Sequence, residues 1–402
     1  MTAFSTLQEM LLLAHDRLAP DVWDFIAGGA ESETTLRRNR QALDRLALRP
    51  RVLRDVSEID TSTTILGHKL NIPVMMAPVG SLALVEPSGA IPVARACAAI
   101  GTMMFYSVFA DPTLAEVRAA VPYPIIVALY VRGGPESLDK AVDDAVAAGC
   151  SAIAVVTEAA YYSRRERDLM NGLRSRGSKS GTYGETQRIL REREPGPALD
   201  SARTRMAPAR LNWATIEHIR KRSGLPIILK GIATREDAVI AAESGIEAVY
   251  VSNHGGRQLD QAQGALDSFV EVADALQGRA ELIVDGGICR GTDVIKAIAL
   301  GARAACVGRL QCWALAAGGE EGLRQMIDIL EEEIIIAMGL IGVTRLGEIG
   351  SEHIREVDAL EPADLLNAFP VAKELIAEAQ ADRRRRDRDG PTPMVSPKSA
   401  AA

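Results

Sequence analysis

A histidine and an arginine stand three residues apart where an apolar run ends, within the stretch 249–260. The imidazole of His254 can accept a proton, and the guanidinium of Arg257 can hold a carboxylate through two parallel hydrogen bonds. Between them lie Gly255 and Gly256, which can take backbone angles that a Cβ forbids. The spacing predicts a site that binds a carboxylate and removes a proton. The alternative is an ordinary histidine in a solvated loop.

Two further apolar runs end in glycine, which suggests a phosphate site. Asp285, Gly286 and Gly287 follow one run, and Gly308 and Arg309 follow the next. Glycines at adjacent strand ends let backbone N–H groups approach a phosphate closely. Tight turns would explain any single glycine, so the prediction rests on both ends together with the arginine. The sequence contains neither a Walker-type loop nor a G-x-G-x-x-G motif after a strand, which excludes those nucleotide sites.

These motifs belong to a repeating pattern of short apolar runs, each of which leads into a stretch with helical spacing. Alternation of strand and helix favours a parallel sheet, and eight such units predict an α/β fold of the (β/α)8, or TIM, barrel class. The predicted strands are Pro73–Pro78, Met103–Val108, Ile125–Tyr130, Ala152–Thr157, Pro226–Lys230, Ala248–Ser252, Leu282–Asp285 and Ala304–Gly308.

In a barrel of this kind, chemistry collects at the carboxyl ends of the strands. Polar or glycine residues stand at most of those predicted ends. They are Val79 with Gly80, Ser107 to Phe109, Tyr130, Glu158, Lys230, His254, Asp285 to Gly287, and Gly308 with Arg309. The strand pattern alone therefore predicts that these residues meet at one end of the barrel.

Three segments lie outside the repeating units. Residues 1–48 have helical spacing and predict an amino-terminal helical cap. The connection after the fourth strand, 172–210, is long and rich in arginine, which predicts a solvated flexible loop, a lid or a surface-docking segment. The tail 382–402 is charged and then rich in Pro, Ser and Ala, and we expect it to be disordered. The domain prediction is one barrel domain over 1–381, followed by that tail.

The composition limits the possible partners and the cellular compartment. A net charge of −7 argues against general nucleic-acid binding. The longest apolar stretch, 334–343, is far shorter than the roughly 20 residues of a membrane-spanning helix. The five cysteines have no metal-binding spacing, so we expect no metal and predict reduced thiols in a cytoplasmic protein.

The string from Ser252 to Asp260 closely resembles the signature of the FMN-dependent α-hydroxy-acid oxidase and dehydrogenase family, which includes glycolate oxidase, lactate oxidase and mandelate dehydrogenase. Trp23–Ala30, Leu229–Gly231, Asp285–Gly287 and Arg290–Asp293 resemble other signatures of the same family. The resemblance covers roughly residues 7–375, with 172–210 as its poorly matched part. It implies a (β/α)8 barrel with one non-covalent FMN, often assembled as a homotetramer.

The resemblance also implies roles for individual residues. His254 resembles the active-site base, and Glu158 stands in the place of its partner aspartate. Arg257 and Arg165 resemble the two anchors of the substrate carboxylate. Tyr130 resembles the tyrosine whose hydroxyl contacts the substrate oxygen.

Lys230 resembles the lysine beside the flavin ring, and Ser107 a residue at the edge of that ring. Asp285 resembles the ligand of the ribityl chain. Ser252 resembles a structural strand residue next to the site. The cofactor-binding set implied by the resemblance is Pro78, Val79, Gly80, Ser107, Lys230, Asp285, Gly286, Gly287, Arg290, Gly308 and Arg309.

The chain departs from the family pattern at several site positions. Phe25 replaces a tyrosine, Ala128 a glutamine, Val156 a threonine, Glu158 an aspartate and Cys289 an arginine. Gly80 stands where alanine is usual and Phe109 where tryptophan is common. The smaller groups predict room for a bulky or aromatic substrate side chain, as in mandelate.

The expected reaction is the FMN-dependent oxidation of an L-2-hydroxy acid to the 2-oxo acid, with oxygen, a quinone or a protein as electron acceptor. One alternative is a specialised or weakly active relative that acts on a non-standard substrate, such as a peptide or a carrier-bound acid. Another is an FMN barrel enzyme without net oxidation, for which the paired arginines have no evident use.

Overall fold

Eight parallel strands close into a barrel in the computed structural model, which describes residues 3–131, 134–171, 210–360 and 362–389. The strands follow one another in chain order around the barrel, and the eighth pairs with the first. They are β1 (Val74–Met76), β2 (Met104–Ser107), β3 (Ile125–Leu129), β4 (Ala152–Val156), β5 (Ile227–Ile232), β6 (Ala248–Val251), β7 (Glu281–Val284) and β8 (Ala304–Val307). The predicted (β/α)8 barrel is confirmed, and each predicted strand overlaps an observed one.

Helices surround the barrel. They are α1 (Leu7–Arg17), α2 (Pro20–Ala27), α3 (Thr34–Asp44), α4 (Ala90–Ile100), α5 (Leu114–Ala120), α6 (Pro135–Ala147), α7 (Glu166–Met170), α8 (Trp213–Ser223), α9 (Arg235–Glu243), α10 (Ala265–Leu276), α11 (Gly291–Ala299), α12 (Arg309–Ile341) and α13 (Pro370–Asp389). Within α12 the backbone breaks at Gly318 and Gly319, and the φ of Gly319 is +61°.

Both faces of the barrel strands are buried, because helices cover the outside and side chains fill the inside. This is why the strands are continuous apolar runs rather than alternating ones. The interior combines two large rings, Phe105 and Tyr250, with the small side chains of Ala128, Ala154 and Ala248. Phe105 and Tyr250 pack with their centroids 5.0 Å apart. Large and small side chains together fill the barrel, so it is a packed core and not a channel.

A short hairpin closes the amino-terminal end of the barrel. Its strands, Thr63–Ile65 and His68–Leu70, pair in antiparallel register, and Ile65 and Leu70 join the interior cluster. The turn residues Leu66 and Gly67 both have positive φ, 47° and 79°, as a two-residue hairpin turn requires. With that end closed, side chains at the carboxyl ends of the strands line the other end of the barrel.

The predicted amino-terminal cap is present as α1, α2 and α3. Thr6 caps α1 by accepting a hydrogen bond from the backbone of Glu9, and Pro20 occupies the first turn of α2, where it is tolerated. The Trp23 ring of α2 stacks on Trp313 of α12 at 5.9 Å. This contact anchors the cap on the helix that follows the last strand.

The chain ends differ in part from expectation. Helix α13 continues to Asp389, past the predicted start of a disordered tail at Asp382, because Arg and Ala are good helix formers and propagate a helix already begun. Residues 390–402 and 172–209 lie outside the described residues, so the predictions for the rest of the tail and for the long loop stay predictions. In the described part of the chain, every helix is too short or too polar to cross a membrane.

Candidate active site

Side chains from three adjacent strands meet in a hydrogen-bonded cluster at the carboxyl end of the barrel. Glu158 follows β4, Lys230 lies on β5 and His254 follows β6. The ammonium of Lys230 donates to Oε1 of Glu158, and Nδ1 of His254 lies 2.9 Å from the same oxygen. One carboxylate oxygen therefore joins the predicted base to the predicted flavin-side lysine.

Burial and charge fix the protonation states of the cluster. Burial alone would raise the pKa of Glu158, but the Lys230 charge and the hydrogen bond to His254 outweigh it and lower the pKa to about 2. Burial and the Lys230 charge lower the pKa of His254 to about 4. Burial opposes the charge on Lys230, yet Glu158 and Asp285 raise its pKa overall. At neutral pH the cluster thus holds a carboxylate, an ammonium and a neutral imidazole.

The carboxylate also fixes the tautomer of the imidazole. An ionised carboxylate can only accept hydrogen bonds, so Nδ1 of His254 carries the ring proton in the neutral state. That leaves Nε2 as the basic nitrogen. The His254 side chain is 20% exposed, whereas those of Glu158 and Lys230 are 9% and 2% exposed. Of the three, the imidazole is therefore the group most open to a ligand.

Glu158 needs the glycine that lies opposite it on β5. Gly231 has a φ of +109°, and a Cβ there would lie 2.3 Å from Oε2 of Glu158. It would also lie 2.7 Å from the Cβ and 2.8 Å from the backbone N of Glu158, so only glycine fits beside this residue. Oε2 is buried without a hydrogen-bond partner among the described residues, so Oε1 provides all of the described side-chain contacts of the carboxylate.

A second set of hydrogen bonds extends from the lysine to β7. Lys230 donates to Oγ of Ser252 at 3.1 Å, and that hydroxyl donates to Oδ1 of Asp285 at 2.6 Å. The hydroxyl of Tyr250, inside the barrel, donates to Oδ2 of Asp285 at 2.8 Å. Burial raises the pKa of Asp285, although Lys230 and the two hydroxyl donors oppose that rise. The lysine is therefore held between two acidic side chains.

The loop that carries His254 has an unusual backbone. His254, Gly255 and Gly256 have φ values of 59°, 64° and 76°, three successive residues in the left-handed region. Such angles favour glycine and are disfavoured for histidine. The backbone N–H of His254 donates to Oγ of Ser252 at 3.0 Å, which helps to hold it there.

Arg257 lies against the end of helix α2. Its Nη1 donates to the carbonyl oxygens of Phe25 at 2.6 Å and Gly28 at 2.7 Å, and its guanidinium lies 4.9 Å from the centre of the Phe25 ring. Burial and the neighbouring arginine charges lower the pKa of Arg257. Among the described residues these hydrogen bonds use Nη1 alone, which leaves the Nε and Nη2 side available for a forked carboxylate pair.

The second predicted anchor supports the first. Arg165 is buried, and its Nε donates to the carbonyl oxygen of Arg257 at 3.3 Å. Its Nη1 contacts the Tyr162 hydroxyl at 3.1 Å, and its Nη2 contacts Oε1 of Gln258 at 3.4 Å. Gln258 in turn donates to the carbonyl oxygen of Tyr161 at 3.0 Å. The two arginines therefore lie together at one side of the site.

Arg309 differs from the simple expectation of a free phosphate ligand. It donates to the carbonyl oxygen of Ile26 in α2 at 2.9 Å, to that of Gly28 just after α2 at 2.8 Å, and to that of Gly255 at 2.9 Å. Burial lowers its pKa to about 10. A guanidinium has five N–H groups, so about two remain for an anion.

The predicted glycine cradle lies beside Arg309. Gly286 and Gly287 have positive φ, 105° and 86°, so the loop after β7 is built on glycine geometry. A Cβ added to Gly308 would meet only the Ala77 Cβ, at 3.8 Å, so space is open there. Gly308 precedes the first residue of α12, where unpaired backbone N–H groups favour an anion.

The ends of β1 and β2 pack against each other. Pro78 is buried, while Val79 and Gly80 are partly exposed beside buried Ser107. A Cβ at Gly80 would lie 2.6 Å from the Cβ of Phe109 and 3.3 Å from Oγ of Ser107. The room expected from Gly80 is thus taken by Phe109, which could not approach so closely if residue 80 had a side chain.

An aromatic pair continues from Phe109 towards the histidine. The rings of Phe109 and Tyr130 have centroids 4.5 Å apart, and Tyr130 lies edge-on to His254 at 6.4 Å. Phe25 lies under Arg257, so aromatic rings lie beside both the predicted base, His254, and the predicted carboxylate anchor, Arg257. Aromatic rings bind other rings well in such edge and offset arrangements.

Two residues near the predicted phosphate region have other partners. Arg290 forms an ion pair with Glu333 of α12, and its cofactor role stays a prediction. Cys289 is buried, and burial raises the pKa of its thiol to about 12. The thiol is therefore neutral and enclosed, which is typical of a small apolar residue and not of a redox group.

The sequence signal did not single out two members of the cluster. The resemblance gives Ser252 only a structural role, yet its hydroxyl contacts Lys230 and Asp285 and accepts from the His254 backbone. Tyr250 sits in an apolar run and gives no polar signal of its own. Its position two residues before Ser252, which puts both side chains on the same side of an extended chain, is the clue that the sequence offers. The described residues contain no cluster of acidic, Cys and His side chains suited to a metal ion.

Comparison with known proteins gives consistent matches over most of the chain. A family model described as FMN-dependent dehydrogenase matches residues 14–356. A peroxisomal (S)-2-hydroxyacid oxidase of Arabidopsis thaliana is 38% identical over 357 residues, covering 88% of this chain and 97% of the relative. The 4-hydroxymandelate oxidase of Amycolatopsis orientalis is 37% identical over 344 residues, covering 86% and 96%.

Solved structures give the same result in three dimensions. The crystal structure of a mandelate oxidase superimposes with a TM-score of 0.79 at 34% sequence identity. The match covers 89% of this chain and 99% of that one.

Proposed function

The chain belongs to the FMN-dependent dehydrogenase family, whose members oxidise 2-hydroxy acids, and we propose that it converts an L-2-hydroxy acid with a bulky or aromatic side chain to the 2-oxo acid. The observation that carries the proposal is the buried contact of Glu158 with both Lys230 and His254, beside Arg257 and Arg165. It combines a base, its charged partner and a carboxylate-binding side.

The residues present fit FMN. The open space at Gly308, the N-terminus of α12 and the Gly286–Gly287 turn suit its phosphate, and we propose that Arg309 contributes the two remaining N–H groups. Asp285 would hold the ribityl chain, with Pro78, Val79, Gly80, Ser107 and Lys230 along the ring. When bound, FMN supplies the acceptor for the two electrons removed from the substrate.

We assign the following work to the chain's own side chains. The free side of Arg257, with Arg165 behind it, holds the substrate carboxylate in a forked pair. The Tyr130 hydroxyl contacts the substrate oxygen. The Nε2 of His254 accepts the proton that leaves the substrate, and Glu158 stabilises the imidazolium so formed. Lys230 keeps a positive charge beside the ring, where negative charge grows on reduction.

Assembly and compartment belong to the same proposal. We propose a homo-oligomer, a tetramer by resemblance, in the cytoplasm. The five cysteines support a reducing compartment, since all are free and buried in the structure.

Anaerobic titration of the purified protein with 2-hydroxy acids tests the reaction itself. We expect a yellow protein whose visible flavin absorbance bleaches when an L-2-hydroxy acid is added, because the substrate then delivers two electrons to FMN. The 2-oxo acid should appear in equal amount. A protein that binds FMN but bleaches with none of a panel of aliphatic and aromatic acids would contradict the proposal and favour a non-standard substrate.

The substrate panel also tests the side-chain preference. We expect kcat/KM for (S)-mandelate to exceed that for glycolate by about tenfold or more, because a substrate ring can pack against Phe109, Tyr130 or Phe25. The (R)-enantiomer is the control, since it offers the same ring with C2 in the wrong orientation. A clear preference for glycolate would overturn the argument from the aromatic border.

A further inference from the structure

We propose that Asn39, in the amino-terminal cap, is a positioning residue that sets the left-handed loop carrying His254 and Arg257. Asn39 lies in helix α3 and is fully buried. Its amide forms a two-way pair with Asn253, with Nδ2 of Asn39 donating to Oδ1 of Asn253 at 2.9 Å and the reverse contact at 2.7 Å. The inference rests on the proposed roles of His254 and Arg257.

The Asn39–Asn253 pair lies where the loop begins, directly before His254. Oδ1 of Asn253 also accepts from the backbone N–H of Gly256 at 2.9 Å, which closes the turn over His254 and Gly255. Nδ2 of Asn253 donates to the carbonyl oxygen of Gln263 at 3.1 Å. All the described bonds of this amide therefore tie the loop either to itself or to Asn39.

The directions of these bonds are fixed by backbone donors. The N–H of Ala265 donates to Oδ1 of Asn39 at 2.8 Å, so that atom must be the oxygen. The N–H of Gly256 likewise requires the oxygen of Asn253 to face it. Neither amide can flip without losing a backbone bond, so Asn39 also selects the orientation of Asn253.

The loop needs such a support because of its backbone angles. His254 has a φ of 59° and is followed by two more residues with positive φ, a run that forms no regular hydrogen-bond ladder. A small rotation at Asn253 would move the imidazole away from Oε1 of Glu158, 2.9 Å distant, and would move Arg257 as well. The cap also reaches the next strand end, since a Cβ on Gly286 would lie 3.2 Å from Oδ1 of Asn39.

Asn39→Asp tests the role with minimal change of shape. The carboxylate keeps the acceptor for Ala265 but cannot donate to Asn253, so two oxygens face each other across the pair. The control for loss of an amide donor is Asn71→Asp, an exposed asparagine at the opposite end of the barrel, where Nδ2 donates to the carbonyl oxygen of Ile100 at 2.7 Å. Each variant loses the amide donors, but only the first touches the loop.

Two measurements on the FMN-loaded protein decide the matter. Hydrogen–deuterium exchange of the peptide covering 250–260 should speed up at least tenfold in Asn39→Asp and stay at the wild-type rate in Asn71→Asp. The dissociation constant for benzoylformate, a 2-oxo acid, read from the flavin difference spectrum, should rise at least tenfold with the FMN content unchanged, because the carboxylate anchor Arg257 lies on that loop.

The outcomes separate this inference from the proposed function. Unchanged exchange in Asn39→Asp overturns the positioning role, whatever the enzyme oxidises. Faster exchange in a protein whose wild type binds no 2-oxo acid supports the positioning role and counts against the proposed function. If Asn39→Asp does not fold, Asn39→Ala replaces it, since alanine favours the middle of α3 and likewise removes the donor.

Discussion

Arg257→Met is expected to lower kcat/KM for 2-hydroxy acids by roughly 30-fold to several thousand-fold, mainly through weaker substrate binding. A desolvated charge-assisted pair contributes about 2–5 kcal/mol, and each 1.4 kcal/mol is a factor of about ten. The Nε and Nη2 side of the guanidinium is the part placed for that pair, since Nη1 bonds to the end of α2. Methionine keeps the length and apolar contact of the side chain and removes every donor.

The fold should survive this substitution. The carbonyl oxygen of Gly28 also accepts from Arg309, so among the described contacts Arg257→Met leaves only the oxygen of Phe25 without its bond. One lost bond of this kind costs about 1–3 kcal/mol. Steady-state kinetics and a thermal melt on the same preparation separate the two effects.

The matched control is Arg279→Met. Arg279 likewise donates to carbonyl oxygens at a helix end, those of Ala275 and Leu276, but at the amino-terminal side of the barrel. Because Arg279 is exposed, this variant should melt close to the wild-type temperature and keep wild-type kinetics. Unchanged kinetics in Arg257→Met would remove this arginine from the substrate site.

Glu158→Gln is expected to slow anaerobic flavin reduction by about two orders of magnitude while FMN stays bound. The change keeps the shape and removes the charge that stabilises a protonated His254, and positioned acid–base partners contribute roughly 10²–10⁴ in rate. Stopped-flow reduction by excess substrate is the measurement. Glu158→Asp should stay closer to wild type, or exceed it, since it keeps the charge.

The expected pH dependence of kcat/KM explains why flavin reduction is slower in Glu158→Gln. The pKa of His254 is about 4, below the ordinary 6.5, so the imidazole is neutral at pH 7 and ready to accept a proton. The acid limb of kcat/KM should therefore lie well below pH 6.5. Removing the Glu158 charge favours the neutral imidazole further, so the variant's limb cannot lie higher. Its lower rate at pH 7 then reflects poorer stabilisation of the imidazolium, and raising the pH should not restore it.

The free energy of unfolding should also fall as the pH is lowered. His254 and Glu158 both have folded pKa values below their ordinary ones, about 4 against 6.5 and about 2 against 4.5. The unfolded chain binds more protons between those values, so stability falls as the pH drops from about 6.5 towards 2.

Glu247→Gln is the control for the charge change. Glu247 accepts from the backbone of Ile227 at 2.8 Å and pairs with Arg220, away from the carboxyl ends of the strands. We expect it to reduce flavin at the wild-type rate. Glu158→Gln reducing as fast as this control would show that the base works without a charged partner.

The sequence by itself determined the barrel and the location of its chemistry. Buried parallel strands must be continuous apolar runs, and a polar or glycine residue just past each run can only lie at the carboxyl end. That argument was sufficient to bring Glu158, Lys230, His254 and Asp285 to one end of the barrel from positions far apart in the chain. The string around His254 and Arg257 was specific enough to identify the family.

The tertiary structure decided which of these groups touch and what each one holds. The sequence did not reveal that one oxygen of Glu158 serves both Lys230 and His254, because that depends on barrel closure and on the absence of a Cβ at Gly231. Nor did it reveal that Arg257 and Arg309 hold the end of α2, or that Phe109 fills the space beside Gly80. Periodicity determines the face and end of each residue, whereas contacts at 3 Å depend on how distant elements pack and which rotamers that packing allows.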